Sequence, residues 1–127
     1  MVNGRERILV MENEELLRRA LRQILSVEFD AVIVVDRFLA VQAYVDAMHK
    51  KAAFALVILD LKGDHEDDEG FRAMESLRRI DPGVKAILHT GSAPQCTAND
   101  LKAMGFQGIL LKPATGDTII TAIRSFL

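Results

Sequence analysis

Asp60 closes an apolar run, LVILD at 56–60, and Lys112 closes another, GILLK at 108–112. Between them Thr90 ends VKAILHT at 84–90, with Gly91 next. Earlier in the chain Glu12, Asn13 and Glu14 follow RILVM at 7–11. If these runs are neighbouring strands, their ends bring together carboxylates, an amide oxygen, a hydroxyl and an ammonium. That set suits one reaction, the transfer of a phosphoryl group onto a carboxylate. Asp60 would be the nucleophile. Lys112 would pair with a phosphoryl oxygen as a point charge, and Thr90 would donate a hydrogen bond to another. Mg²⁺ would offset the repulsion between the attacking carboxylate and an anionic donor. It prefers oxygen ligands and keeps several waters, and Glu12, Asn13 and Asp60 could supply the protein oxygens. Gly91 leaves room beside them.

The chain has the elements to position such a set. The runs 7–11, 31–35, 55–59, 84–89 and 108–111 are almost wholly apolar, as strands buried on both faces are. Between them lie amphipathic helical stripes. The first has Leu16, Leu17, Ala20, Leu21, Ile24 and Leu25 on one side and Arg18, Arg19 and Arg22 on the other. The second has Leu39, Ala43, Tyr44, Ala47 and Met48, and the third Phe71, Met74 and Leu77. A weaker helix is expected over 99–104, stopped by Gly105. A last one carries Ile119, Ile120, Ile123 and Phe126, capped by Thr115 or Asp117. Five strand–helix units predict an α/β fold, a doubly wound five-stranded parallel sheet in the order 2-1-3-4-5. Such sheets work at the carboxyl ends of their strands, where the candidate residues lie.

Four fragments at those ends resemble the response-regulator receiver family, and the resemblance spans residues 1–127 as one domain. RILVMENEE at 7–15 is similar to the family's first strand and acidic pair, and LVILD at 56–60 to its phosphoacceptor strand. IDPGVKAILHTG at 80–91 is similar to its hydroxyl-bearing strand, and GFQGILLKP at 105–113 to its lysine–proline segment. The phrasing is closest to receivers of hybrid sensor histidine kinases. The resemblance implies a flavodoxin-like receiver fold and a cis bond before Pro113. It implies phosphorylation of Asp60 by a histidine kinase or a histidine phosphotransfer protein, in the cytoplasm. A homodimer is compatible with it.

The departures bear on function. The second acid of the pair is replaced by Asn13, so Mg²⁺ is expected to bind weakly. The Met-Pro or Ile-Pro that usually follows the acceptor is missing, and an acidic segment, Asp64 to Glu69, stands there. Ile109 holds the place of a switching aromatic or Thr, and Ala114 that of an aromatic after Lys-Pro. Asn13 reads either as a weak ligand or as the mark of a pseudo-receiver, an interaction module that works without phosphorylation.

Plainer readings stand beside these. Asp60, Thr90 and Lys112 could each be an ordinary polar residue at a strand end; it is their joint placement that favours chemistry. The acidic segment, with His65, reads as a solvated loop and lacks the glycine of a calcium loop. His89 should face away from Thr90 as a packed side chain. Cys96, the single cysteine, reads as a passive thiol. The 127 residues are 50% hydrophobic and carry a net charge of -2, which offers no basic field for nucleic acid or an anionic membrane surface. No apolar run is long enough to span a bilayer, and the polar start is not expected to act as a secretory signal. No phosphate-cradling glycine loop supports a nucleotide enzyme.

Overall fold

In the computed structural model, which describes residues 1–63, 67–91 and 96–127, the apolar runs become strands because their side chains alternate between two buried faces. The elements in chain order are β1 (Arg7–Met11), α1 (Glu15–Ser26), β2 (Asp30–Val34), α2 (Arg37–His49), β3 (Leu56–Asp60), α3 (Glu69–Ile80), β4 (Ala86–Thr90), α4 (Ala98–Ala103), β5 (Phe106–Leu111) and α5 (Gly116–Phe126). The strands are parallel, in the order β2-β1-β3-β4-β5. The expected fold and strand order are therefore observed.

Consecutive residues feed opposite cores. Leu9, Met11, Val57, Leu59, Ala86 and Leu88 pack on the side of α2, α3 and α4, against Tyr44, Met74, Leu77 and Leu101. Ile8, Val10, Leu56, Ile58, Ile87 and Leu110 pack on the side of α1 and α5, against Leu21, Leu25, Ile119 and Ile123. Burial of each large aliphatic side chain contributes roughly 1.5–3 kcal/mol. β2 is half-buried throughout because it pairs on one side only, with β1.

Local chemistry sets the helix starts. Asp36 accepts from the Leu39 amide at 2.9 Å, and Thr115 accepts from the Thr118 amide at 3.2 Å. α4 is six residues long, yet it begins on a full capping box. Thr97 accepts from the Asp100 amide while Asp100 accepts from the Thr97 amide, both at 3.0 Å. Gly105, at φ 101°, ends the turn after α4 and releases the chain into β5 two residues sooner than its apolar run predicts.

Two helix faces differ from expectation. Leu16 on α1, and Leu39 and Met48 on α2, are exposed, whereas Ala40, Tyr44 and Ala47 carry the α2 packing. Polar bonds rotate α2 this way. The Tyr44 hydroxyl donates to Asp81 at 2.6 Å, and Arg37 pairs with Glu69 at the other end. Burial pushes the Tyr44 phenol well above its usual pKa, with Asp81 adding to the effect. Among the described residues no helix is long and apolar enough to cross a membrane.

Candidate functional site at the strand ends

Glu12 extends β1 by one bond: its amide donates to the Val34 carbonyl at 2.9 Å. Its side chain is turned inward and is 1% exposed. Oε2 accepts from the Glu14 amide at 3.1 Å, and the Glu12 carbonyl accepts from Arg18 Nη1 at 3.0 Å. Asp60 is the last residue of β3 and Thr90 the last of β4; they are 5% and 2% exposed. The Lys112 amide donates to the Thr90 carbonyl at 2.8 Å, which carries the β4–β5 ladder past Leu111. The bond from Lys112 to Pro113 is cis.

Lys112 Nζ then lies 2.8 Å from Glu12 Oε1 and 3.3 Å from Asp60 Oδ1. Among the described residues a Cβ added at Gly91 would touch only the Lys112 Cβ, 4.0 Å away. The structure thus brings together Glu12, Asp60, Thr90 and Lys112, with Asn13 half-buried in the loop that follows Glu12.

Two buried carboxylates share one ammonium, so negative charge is in excess. Burial, followed by the neighbouring Glu12 carboxylate, pushes the Asp60 carboxyl up to about 7, with Lys112 opposing. The contact of Glu12 Oε1 with Lys112 is close enough for an ion pair but is not aligned as a hydrogen bond, and that oxygen is buried. An under-satisfied buried carboxylate oxygen beside a second carboxylate fits a hard cation such as Mg²⁺. The charge available is modest. Among the described residues no three His, Cys, Asp or Glu side chains cluster to hold a metal, and Asn13 offers a dipole where a third carboxylate would add a full charge.

The response regulator receiver domain model matches residues 8–124. The chain belongs to that family. No curated protein matches it in sequence. Among solved structures it is similar to the chemotaxis protein CheY4 of Vibrio cholerae, with 19% identity over 98% of this chain and 100% of that one, at TM-score 0.82. It is similar to a CheY-like receiver of Methanospirillum hungatei, with 21% identity, coverage of 96% and 93%, and TM-score 0.80. It is also similar to a chain in a Borrelia burgdorferi CheX–CheY complex with BeF3 and Mg²⁺, with 16% identity, coverage of 94% and 87%, and TM-score 0.81. At these identities the likeness speaks to the fold.

His89 is the packed side chain that its place before Thr90 predicts. His89 is buried on β4, and burial, with Lys112 adding, lowers its imidazole to about 4 while Glu12 opposes the shift. It is a neutral packed residue, facing α1 and α5, where it lines a cavity of about 580 Å³ with Leu17, Pro113 and Ile119. Ile109 is half-exposed beside α4 and lines a second cavity with Cys96 and Leu101. Cys96 itself packs partly buried against the core.

The acidic segment is not uniformly solvated. Asp67 is exposed and Asp68 pairs with Arg72 at 3.1 Å, but Glu69 is buried. Asp64, His65 and Glu66 lie outside the described residues. Sequence reasoning missed Arg18, Arg37 and Glu69. Arg18 was assigned to the solvent face of α1, yet it reaches back to the Glu12 carbonyl. The signal for Glu69 was its place directly before Gly70, where a helix starts.

Proposed function

We propose that this receiver accepts a phosphoryl group on Asp60 from a phosphohistidine of a histidine kinase or a histidine phosphotransfer protein. The observation that carries the reading is the position of the Lys112 ammonium between Glu12 and Asp60, beside Thr90 at the same sheet edge. Asp60 attacks phosphorus, the phosphorus–nitrogen bond breaks, and the imidazole leaves with its electron pair. Lys112 neutralises a phosphoryl oxygen, and the Thr90 hydroxyl donates to another. Asp60 reacts as the carboxylate. Bound Mg²⁺, held by Glu12, Asp60 and Asn13, would supply positive charge between acceptor and donor.

A docking surface for the donor adjoins the site. Leu16 and Ala20 are exposed on α1, and with Leu17, Pro113 and Ala114 they line the cavity that reaches Lys112 and Gly91. An apolar groove along a helix suits a helical partner. The cytoplasm follows from this partner class. The Borrelia complex with Mg²⁺ is consistent with a metal-dependent acceptor of this fold.

The rival reading, a pseudo-receiver that binds partners without phosphorylation, is favoured by the neutral Asn13. Acetyl phosphate labelling with and without Mg²⁺, read by intact mass, separates the two. The acceptor reading expects a Mg²⁺-dependent adduct. Absence of an adduct from both acetyl phosphate and a phosphorylated phosphotransfer protein would leave the pseudo-receiver.

Asn13→Asp is expected to tighten Mg²⁺ binding roughly tenfold or more. Unit charges about 4 Å apart interact by roughly 4 kcal/mol at an effective dielectric of 20, and desolvation removes part of that gain. Amide chemical shifts followed through a Mg²⁺ titration measure the change. Equal affinities for the two proteins would show that residue 13 does not ligate the ion.

A further inference from the structure

Glu69 opens α3 as a buried carboxylate, 7% exposed, with both oxygens engaged from another helix. Oε1 accepts from the Arg37 amide at 3.0 Å, and Oε2 accepts from Arg37 Nη1 at 2.6 Å. Arg37 is the first residue of α2, so Glu69 satisfies a backbone donor that the helix start leaves without an intrahelical partner. It also sets negative charge at the positive end of that helix. The Arg37 guanidinium is itself mostly buried and lies over the Phe38 ring, 4.6 Å from its centre.

The next residue ties this pair to the acceptor. The Gly70 amide donates to the Leu61 carbonyl at 2.9 Å. A Cβ at Gly70 would stand 2.6 Å from the Asp60 carbonyl oxygen, so the first turn of α3 rests directly on the acceptor's own peptide. On the other side, α2 follows β2, and the Val34 carbonyl accepts the Glu12 amide at 2.9 Å. The contacts therefore form a closed ring: Glu12 to β2, β2 to Arg37, Arg37 to Glu69, Gly70 to Asp60, and Asp60 through Lys112 back to Glu12.

We propose that Arg37 and Glu69 are positioning residues that set the separation of Glu12 and Asp60, and with it the affinity of the site for a divalent cation. The pair acts through the β2 end and the start of α3 rather than through a bond to the Asp60 carboxylate. It stands at the end of the stretch that departs from the family pattern, and it holds the start of α3 to α2. The inference rests on the phosphoacceptor reading of Asp60.

The test compares wild type with Glu69→Ala, Glu69→Gln, Arg37→Met and Arg37→Lys. Mg²⁺ affinity is followed by amide chemical shifts, and acetyl phosphate labelling is followed across Mg²⁺ concentrations. Leu77→Val in the core of α3 serves as a control for lost stability alone. Glu69→Ala and Arg37→Met are expected to weaken Mg²⁺ binding at least fivefold. They should slow labelling at low Mg²⁺ and recover most of the rate at saturating Mg²⁺. Arg37→Lys and Glu69→Gln, which each keep part of the pairing, should fall between. Leu77→Val should lower the melting temperature with Mg²⁺ affinity unchanged.

Wild-type Mg²⁺ affinity and labelling in folded Glu69→Ala and Arg37→Met would overturn the proposal while leaving Asp60 as the acceptor. Equal weakening in Leu77→Val would overturn it too, since the effect would then be general loosening. A wild-type protein that neither binds Mg²⁺ nor takes label would overturn the acceptor reading, and this inference with it.

Discussion

Asp60→Asn should abolish phosphoryl labelling and at the same time make the protein's stability rise more steeply with pH than that of the wild type. The loss of label follows from removing the nucleophile. An amide does not form the acyl phosphate, so the rate should fall by at least about three orders of magnitude, as removal of a nucleophile does elsewhere. The pH effect follows from two buried groups with opposite displacements. In the folded protein Asp60 is raised from 3.8 to about 7, and His89 is lowered from 6.5 to about 4.

Between about pH 4 and 6.5 the folded chain holds a proton on Asp60 that the unfolded chain has released. Over the same window the unfolded chain holds a proton on His89 that the folded chain excludes. Stability rises with pH where the unfolded state binds more protons. Asp60 alone therefore makes stability fall as pH rises through this window toward 7, and His89 alone makes it rise. The two slopes oppose each other in the wild type. Asp60→Asn leaves the His89 slope, so relative to wild type the variant should gain stability as pH rises from 4 to 6.5, by up to about 1.4 kcal/mol per pH unit. His89→Phe leaves the Asp60 slope, and its stability relative to wild type should fall toward neutral pH. Thermal unfolding in EDTA across this range reads both differences. A pH-independent difference between Asp60→Asn and wild type would mean that Asp60 is already ionised in the metal-free fold.

Gly70→Ala is expected to combine a large loss of stability with a damaged site. Its Cβ would meet the Asp60 carbonyl oxygen at 2.6 Å and the Leu61 Cα at 3.0 Å. Both are backbone atoms at the end of a strand paired on each side, so neither can step aside as a side chain would. Either α3 lifts or the Asp60 peptide tilts. Overpacking of this kind costs about 1–3 kcal/mol, which lowers the melting temperature of a domain this size by roughly 4–11 °C. A displacement near 1 Å can slow a reaction about a hundredfold, so labelling should fall by roughly ten- to a hundredfold. Gly116→Ala is the matching control, because its Cβ would meet Ile24 at an ordinary 3.5 Å and the change favours the helix. A Gly70→Ala protein with wild-type melting and labelling would show that α3 is not seated against the Asp60 peptide.

The order of strands and helices was legible in the sequence because it depends on local periodicity. Runs such as RILVM and LVILD have no polar face, and only a sheet covered on both sides accommodates them. Strand ends in such a sheet converge, so the grouping of Glu12, Asp60, Thr90 and Lys112 could be read before any coordinate. The neutral Asn13 was visible as plainly.

The tertiary structure alone decided which faces of the helices are buried and what each carboxylate touches. Leu39 and Ala40 are adjacent and both apolar, and nothing local says which one turns inward; the Tyr44–Asp81 and Arg37–Glu69 bonds choose Ala40. Glu69 looked like part of a solvated acidic stretch because its partner lies 32 residues earlier in the chain. The displaced pKa values of Asp60 and His89 arise from burial and from charges on other strands. Sequence patterns report the average polarity of a residue's neighbours along the chain. Desolvation and pairing depend on distances between segments that only the folded chain sets.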